Sequence, residues 1–127
     1  DRAPIELGRA EVFQWGRDGM ILCCGAQLAD CLKAAEALAE EGLEVGVANC
    51  RFIKPLDREL VERAARDSSF ILTVEEGCLP GGFGSAALYS ASILSSRPVI
   101  SCRVFGRPSP CSSCANRSRA PFTVIFS

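Results

Sequence analysis

The chain has 127 residues, 48% of them apolar and 23% charged, with a net charge of −1. That is the balance of one globular domain with a core of its own, and it excludes global disorder. No apolar run approaches the roughly 20 residues needed to span a bilayer, and the absence of His excludes imidazole-based catalysis.

Residues 1–18 read as an entry segment. Pro4 to Gly8 is extended and turn-bounded, and Ala10 to Trp15 suits a short edge strand. Asp18-Gly19 is a turn pair, and Met20 to Cys24 is a continuous apolar run ending at Gly25, as expected of a strand buried on both faces. Leu28, Cys31, Leu32, Ala35, Leu38 and Ala39 recur at helical spacing, with Lys33, Glu36 and Glu40 opposite. They predict an amphipathic helix that stops at Gly42 in left-handed geometry. Leu43 to Ala48 predicts a second strand of the sheet.

Pro55 ends a loop, and Asp57 is placed to cap a helix by accepting from its free first-turn amides. That helix turns Leu60, Val61, Ala64 and Ala65 inward, sets Glu59 against Arg63 and Glu62 against Arg66 at i,i+4, and ends at Ser68 or Ser69. Phe70 to Val74 is a further strand. Ser85 is expected to cap a helix through Ile93, Pro98 to Cys102 to form another strand, and Thr123 to Phe126 to pair at an edge. Strands alternating with helices predict an α/β fold: a three-layer, mostly parallel sheet with helices on both faces. The expected organisation is an entry segment over 1–18, an α/β domain over 19–105 and an irregular tail over 106–127.

Charge is unevenly placed. All 15 acidic residues lie at or before Glu76, against nine basic ones there, a net −6; the remaining 51 residues carry five Arg and no acid, a net +5. The Arg residues are scattered among Ser, Pro and Cys, with few aromatics, so a nucleic-acid surface is not expected. Eight Cys invite a disulfide or metal reading. Cys23 and Cys24 are adjacent on a strand and face opposite ways, while Cys31, Cys50 and Cys78 stand alone, as small buried hydrophobes do. Cys111 and Cys114 have ligand-like spacing but no second pair to complete a zinc site. Nothing in the first 19 residues resembles a signal sequence. Reduced thiols and a cytoplasmic location are the expectation, and a start at Asp1 rather than Met suits a partial product.

Three segments could carry chemistry. Gly77 to Ser85 brings Gly81, Gly82 and Gly84 ahead of a helix, where backbone amides could meet a phosphate; the spacing matches neither the dinucleotide fingerprint nor the Walker pattern, and a close-packed turn is the simpler reading. Glu75 and Glu76 end a strand and point apart, one toward a partner group and one toward solvent. Arg51, with Lys54 and Asp57, follows a strand at the sheet edge where α/β proteins place their sites. There Arg51 could hold a phosphate or carboxylate, or pair internally, with Glu75 as the expected partner.

Ala48-Asn49-Cys50-Arg51-Phe52-Ile53-Lys54-Pro55-Leu56-Asp57, then Thr73-Val74-Glu75-Glu76-Gly77, then Gly81-Gly82-Phe83-Gly84-Ser85 together resemble the C-terminal domain of the transketolase family, and within it that of the deoxyxylulose phosphate synthases. The resemblance covers about residues 3 to 88. It implies a domain that binds no cofactor itself, in an enzyme whose missing upstream domains hold thiamine diphosphate and Mg. It further implies a homodimer, partners limited to those upstream domains, no nucleic acid and no membrane. No catalytic residue can be carried onto this chain. The resemblance gives Arg51, Lys54, Asp57, Glu75, Glu76, Gly81, Gly82 and Gly84 structural or subunit-contact roles. Beyond about Leu88 the family's Pro-Asp-Arg-Phe block is missing, and the shift to Ser, Arg, Pro and Cys is what an out-of-frame reading of GC-rich DNA would give.

Overall fold

A computed structural model of the chain describes residues 4–75, 82–92, 99–104 and 122–126. Its elements, in chain order, are β1 (Glu11–Gln14), β2 (Gly19–Cys24), α1 (Leu28–Glu40), β3 (Val45–Asn49), α2 (Arg58–Asp67), β4 (Phe70–Glu75), α3 (Phe83–Ser92), β5 (Val99–Val104) and β6 (Phe122–Phe126). All six strands share one sheet, ordered β1-β3-β2-β4-β5-β6. The four inner strands run parallel, and the two edge strands pair antiparallel to their neighbours. This is the mostly parallel α/β sheet read from the sequence, closed at both edges by reversed strands. The strand expected at Thr123 to Phe126 is β6.

The inner strands alternate their side chains between two cores. On one face Ile21, Cys23, Val45, Val47 and Val74 meet Cys31 and Ala35 of α1. On the other, Met20, Leu22, Ala48 and Ile71 meet Leu60, Val61, Ala64 and Ala65 of α2, with Phe83 and Ala87 of α3. Helices therefore cover both faces of the sheet, giving three layers. Each large apolar side chain fully buried here stabilises the fold by about 1.5–3 kcal/mol.

Local chemistry sets the helix ends. After α1 the Leu43 amide reaches the Leu38 carbonyl at 2.9 Å and the Gly42 amide reaches Ala39 at 3.0 Å. Gly42 sits at φ +88°, so the helix closes in the two-bond motif that needs a left-handed residue. Asp57 starts α2, its carboxylate accepting from the Leu60 amide at 3.2 Å. The i,i+4 pairing on α2 differs from expectation: Arg63 pairs with Asp67 at 3.4 Å and stacks 4.0 Å over the Trp15 ring, while Glu59 receives Arg9. The β1 edge brings Trp15 and the entry segment over α2, and a local sequence pattern cannot foresee that.

The N-terminal ends of the strands are tied by backbone and side-chain bonds. Asp18 accepts from the Glu44 amide at 2.7 Å, its own amide donates to the Glu44 carbonyl at 2.9 Å, and its carbonyl receives the Ser69 amide at 3.2 Å. The buried Ser68 hydroxyl donates to the Gly16 carbonyl at 3.0 Å. The turn before β2 thus holds the turns before β3 and β4, leaving the opposite edge of the sheet for whatever the domain does.

Candidate functional site

The C-terminal ends of β2, β3 and β4 bring together most of the residues singled out in the sequence. In register, Cys23 lies beside Asn49 and Cys24 beside Glu75, and the Cys50 amide donates to the Cys23 carbonyl at 2.8 Å. Arg51 leaves this edge beside β3, Asp57 follows at the head of α2, and Glu75 ends β4 facing the first turn of α3.

Arg51 forms an ion pair with Glu11 of β1, not with Glu75. Antiparallel pairing sets Glu11 opposite Asn49, two residues before Arg51, so the edge strand supplies the nearest carboxylate. Asp57 has two functions. Besides capping α2 through Oδ1, which Arg9 approaches at 3.9 Å, it accepts from the Ala10 amide at 3.0 Å through Oδ2. The entry segment is thereby pinned to the start of α2. Gly8, at φ +75°, lies so close to Pro55 that a Cβ there would stand 2.8 Å from the ring. Lys54 is exposed.

Glu75 is buried, with 4% of its surface exposed, and accepts from the Gly84 amide at 2.6 Å. A carboxylate in the first turn of α3 meets both free amides and the positive end of the helix dipole. This accounts for a boundary the sequence misplaces. Helix α3 starts at Phe83, two residues before the expected cap at Ser85, because a carboxylate from β4 does the capping. Gly84 is a buried first-turn residue, Gly82 stands just before the helix, and Glu76 and Gly81 lie outside the described residues. So do Cys78, Cys111 and Cys114.

Two features of this arrangement bear on ligands. The α3 start, where a phosphate would have to bind, is already occupied by a carboxylate from the same chain. Among the described residues no group of three or more His, Cys, Asp or Glu could hold a metal ion. The described residues therefore do not fit a magnesium–diphosphate group. Nor, among them, is any helix long and apolar enough to cross a membrane.

Comparison with known proteins decides the family. Residues 8–110 match the family described as transketolase, C-terminal domain. The chain belongs to that family. This transketolase C-terminal domain is 52% identical over 89 residues to the 1-deoxy-D-xylulose-5-phosphate synthase of Rhodopirellula baltica, a match that covers 70% of the chain and 14% of that protein. It is 50% identical over 93 residues to the synthase of a Synechococcus strain, covering 71% of the chain and again 14% of the relative. The chain thus spans about one seventh of the length of the curated relatives it matches. Among solved structures, a chain described as "split gene transketolase, inactive beta4 tetramer" superposes with a TM-score of 0.77 at 33% identity, over 85% of this chain and 36% of that one. The family match runs on through residue 110, past the neighbourhood of Leu88 where the sequence motifs stop.

Sequence reasoning missed Glu11 as the partner of Arg51, Arg9 as a neighbour of Asp57 and Glu59 as the partner of Arg9. Glu11 had a signal: it is the one acid in the predicted edge strand. Arg9 and Glu59 had none, because 50 residues separate them and only the folded entry segment brings them together.

Proposed function

We propose that this chain works as the non-catalytic C-terminal domain of a thiamine diphosphate-dependent 1-deoxy-D-xylulose-5-phosphate synthase, packing against upstream domains and supporting a homodimer in the cytoplasm. In this reading the complete enzyme condenses pyruvate with glyceraldehyde 3-phosphate, releases carbon dioxide and feeds isoprenoid precursor synthesis. The observation that carries the proposal is identity with curated synthases at about half of the aligned residues, over 70–71% of the chain. The geometry supports it. Arg51, Asp57 and Glu75 are all engaged by partners within the chain, in scaffold roles rather than as reagents awaiting a substrate. Ile5 and Leu7 of the entry segment are 66% and 76% exposed, an apolar approach suited to burial against a preceding domain.

A stand-alone phosphate-binding module fits less well, since Glu75 places negative charge where a phosphate would need the helix amides. A domain exchange tests the proposal. With residues 8–104 in place of the matching stretch of the Rhodopirellula baltica synthase, the chimera is expected to form deoxyxylulose phosphate with unchanged KM for both substrates. A chimera that assembles and binds thiamine diphosphate yet loses turnover would overturn the non-catalytic role.

A further inference from the structure

Three apolar side chains stand in water on two segments that the fold brings together. Ile5 and Leu7 of the entry segment are 66% and 76% exposed, and Ile53, in the loop between β3 and α2, is 41% exposed. Exposed apolar residues scattered singly are ordinary, but a group of them marks a contact surface. The Arg9 amide donates to the Glu6 carbonyl at 3.2 Å, closing a turn with Leu7 and Gly8 at its centre. Gly8 abuts Pro55 so closely that a Cβ would not fit between them, and Ile53 lies two residues before Pro55. The turn is fastened to the head of α2. Arg9 pairs with Glu59 at 2.5 Å and approaches Asp57 at 3.9 Å, and the Ala10 amide donates to Asp57 at 3.0 Å. A surface fixed before its partner arrives loses little conformational freedom on docking.

We propose that Ile5, Leu7 and Ile53 form the docking face for the domain that precedes this one in the same polypeptide. The face rests on the reading of the chain as one domain of a longer synthase, and it names the residues through which the two domains meet. Size and connection favour this occupant over a second copy of the chain. The matched family is a C-terminal domain, and the match covers 14% of each curated relative. In that reading the rest of the polypeptide joins through the entry segment, which carries two of the three residues. Each side chain can bury on the order of 100 Å² of apolar surface. Three of them fall well short of the roughly 800 Å² per partner that holds two free proteins together. Within one polypeptide the tether raises the effective concentration to roughly the mM range, where a small, prearranged patch suffices.

Photo-crosslinking tests the face in a chimera carrying residues 4–104 in place of the corresponding stretch of the Rhodopirellula baltica synthase. A benzophenone amino acid in place of Leu7 should crosslink to the preceding domain, and the same group in place of Glu36, exposed on α1, should not. Mixing light and heavy isotope-labelled subunits separates links within a chain from links between copies, and links within the chain are expected. The double variant Leu7→Asp, Ile53→Asp should lower the melting temperature of the chimera and leave that of the 127-residue chain unchanged, since both side chains are exposed there. Links confined to other copies, equal yields at positions 7 and 36, or the same melting shift in both proteins would each overturn the proposal. An active chimera with no link from position 7 removes this face and leaves the proposed function standing. A chimera that links at position 7 and binds thiamine diphosphate yet loses turnover supports the face and removes the non-catalytic role.

Discussion

Asp57 shows how one carboxylate can hold two parts of a fold. Its two oxygens serve the α2 start and the entry segment separately, so Asp57→Ala should cost about 2 kcal/mol, roughly 1 for the cap and 1 for the second bond. Urea unfolding reads the loss, and hydrogen exchange at the Ala10 amide should rise in the same variant. Glu75→Ala should cost about 1–3 kcal/mol by leaving the Gly84 amide buried and unbonded, whereas Glu75→Gln, which keeps an acceptor oxygen, should cost less. Cys50 supplies a pH signature. Burial, then Cys24 and Asp57, push its thiol up to about 12 from an ordinary 9.0. Above pH 9 the unfolded chain loses a proton that folded Cys50 keeps, so its contribution is complete below pH 9 and is lost as pH rises toward 12. The slope is about 1.4 kcal/mol per pH unit, and Cys50→Ala should flatten the decline of unfolding free energy between pH 9 and 10.5. Asp57 as a cap was legible because capping is local. The Arg51 and Glu75 partners were not, because pairing across β1 and across the α3 start is decided by the tertiary fold.

The elements were easier to read than their contacts. Apolar runs and helical periods located β2, β3, β4, α1 and α2, since burial on two faces and on one stripe leaves different periods in the chain. The reversal of β1 against β3 carries no comparable mark. Close packing between elements is equally silent. Gly46 on β3 faces Gly16 and Met20, and a Cβ there would stand 2.3 Å from the Met20 sulfur, 2.4 Å from the Gly16 nitrogen and 2.6 Å from the Gln14 carbonyl oxygen. Met20 could yield, but the backbone atoms cannot without moving the edge strand. Gly46→Ala should therefore lower stability by on the order of 1–3 kcal/mol, as overpacked cores do, while Gly42→Asn, at a left-handed helix end with open space around it, should cost less than Gly42→Val. Thermal melts of the three variants rank them.

At the scale of the whole molecule, the role proposed for the domain is that of a scaffold. The sheet's N-terminal edge is locked by Asp18 and Ser68, its C-terminal edge by Arg51, Asp57 and Glu75, and the entry segment exposes Ile5 and Leu7. Its family was legible from three motif blocks in the right order, because those turns are where the chain's geometry is most demanding. The scaffold role is tested most simply by assaying turnover by the 127-residue chain alone, supplied with thiamine diphosphate, Mg, pyruvate and glyceraldehyde 3-phosphate. A scaffold role predicts no carbon dioxide release above the protein-free rate and no deoxyxylulose phosphate. Sustained release of carbon dioxide with stoichiometric sugar phosphate would contradict it.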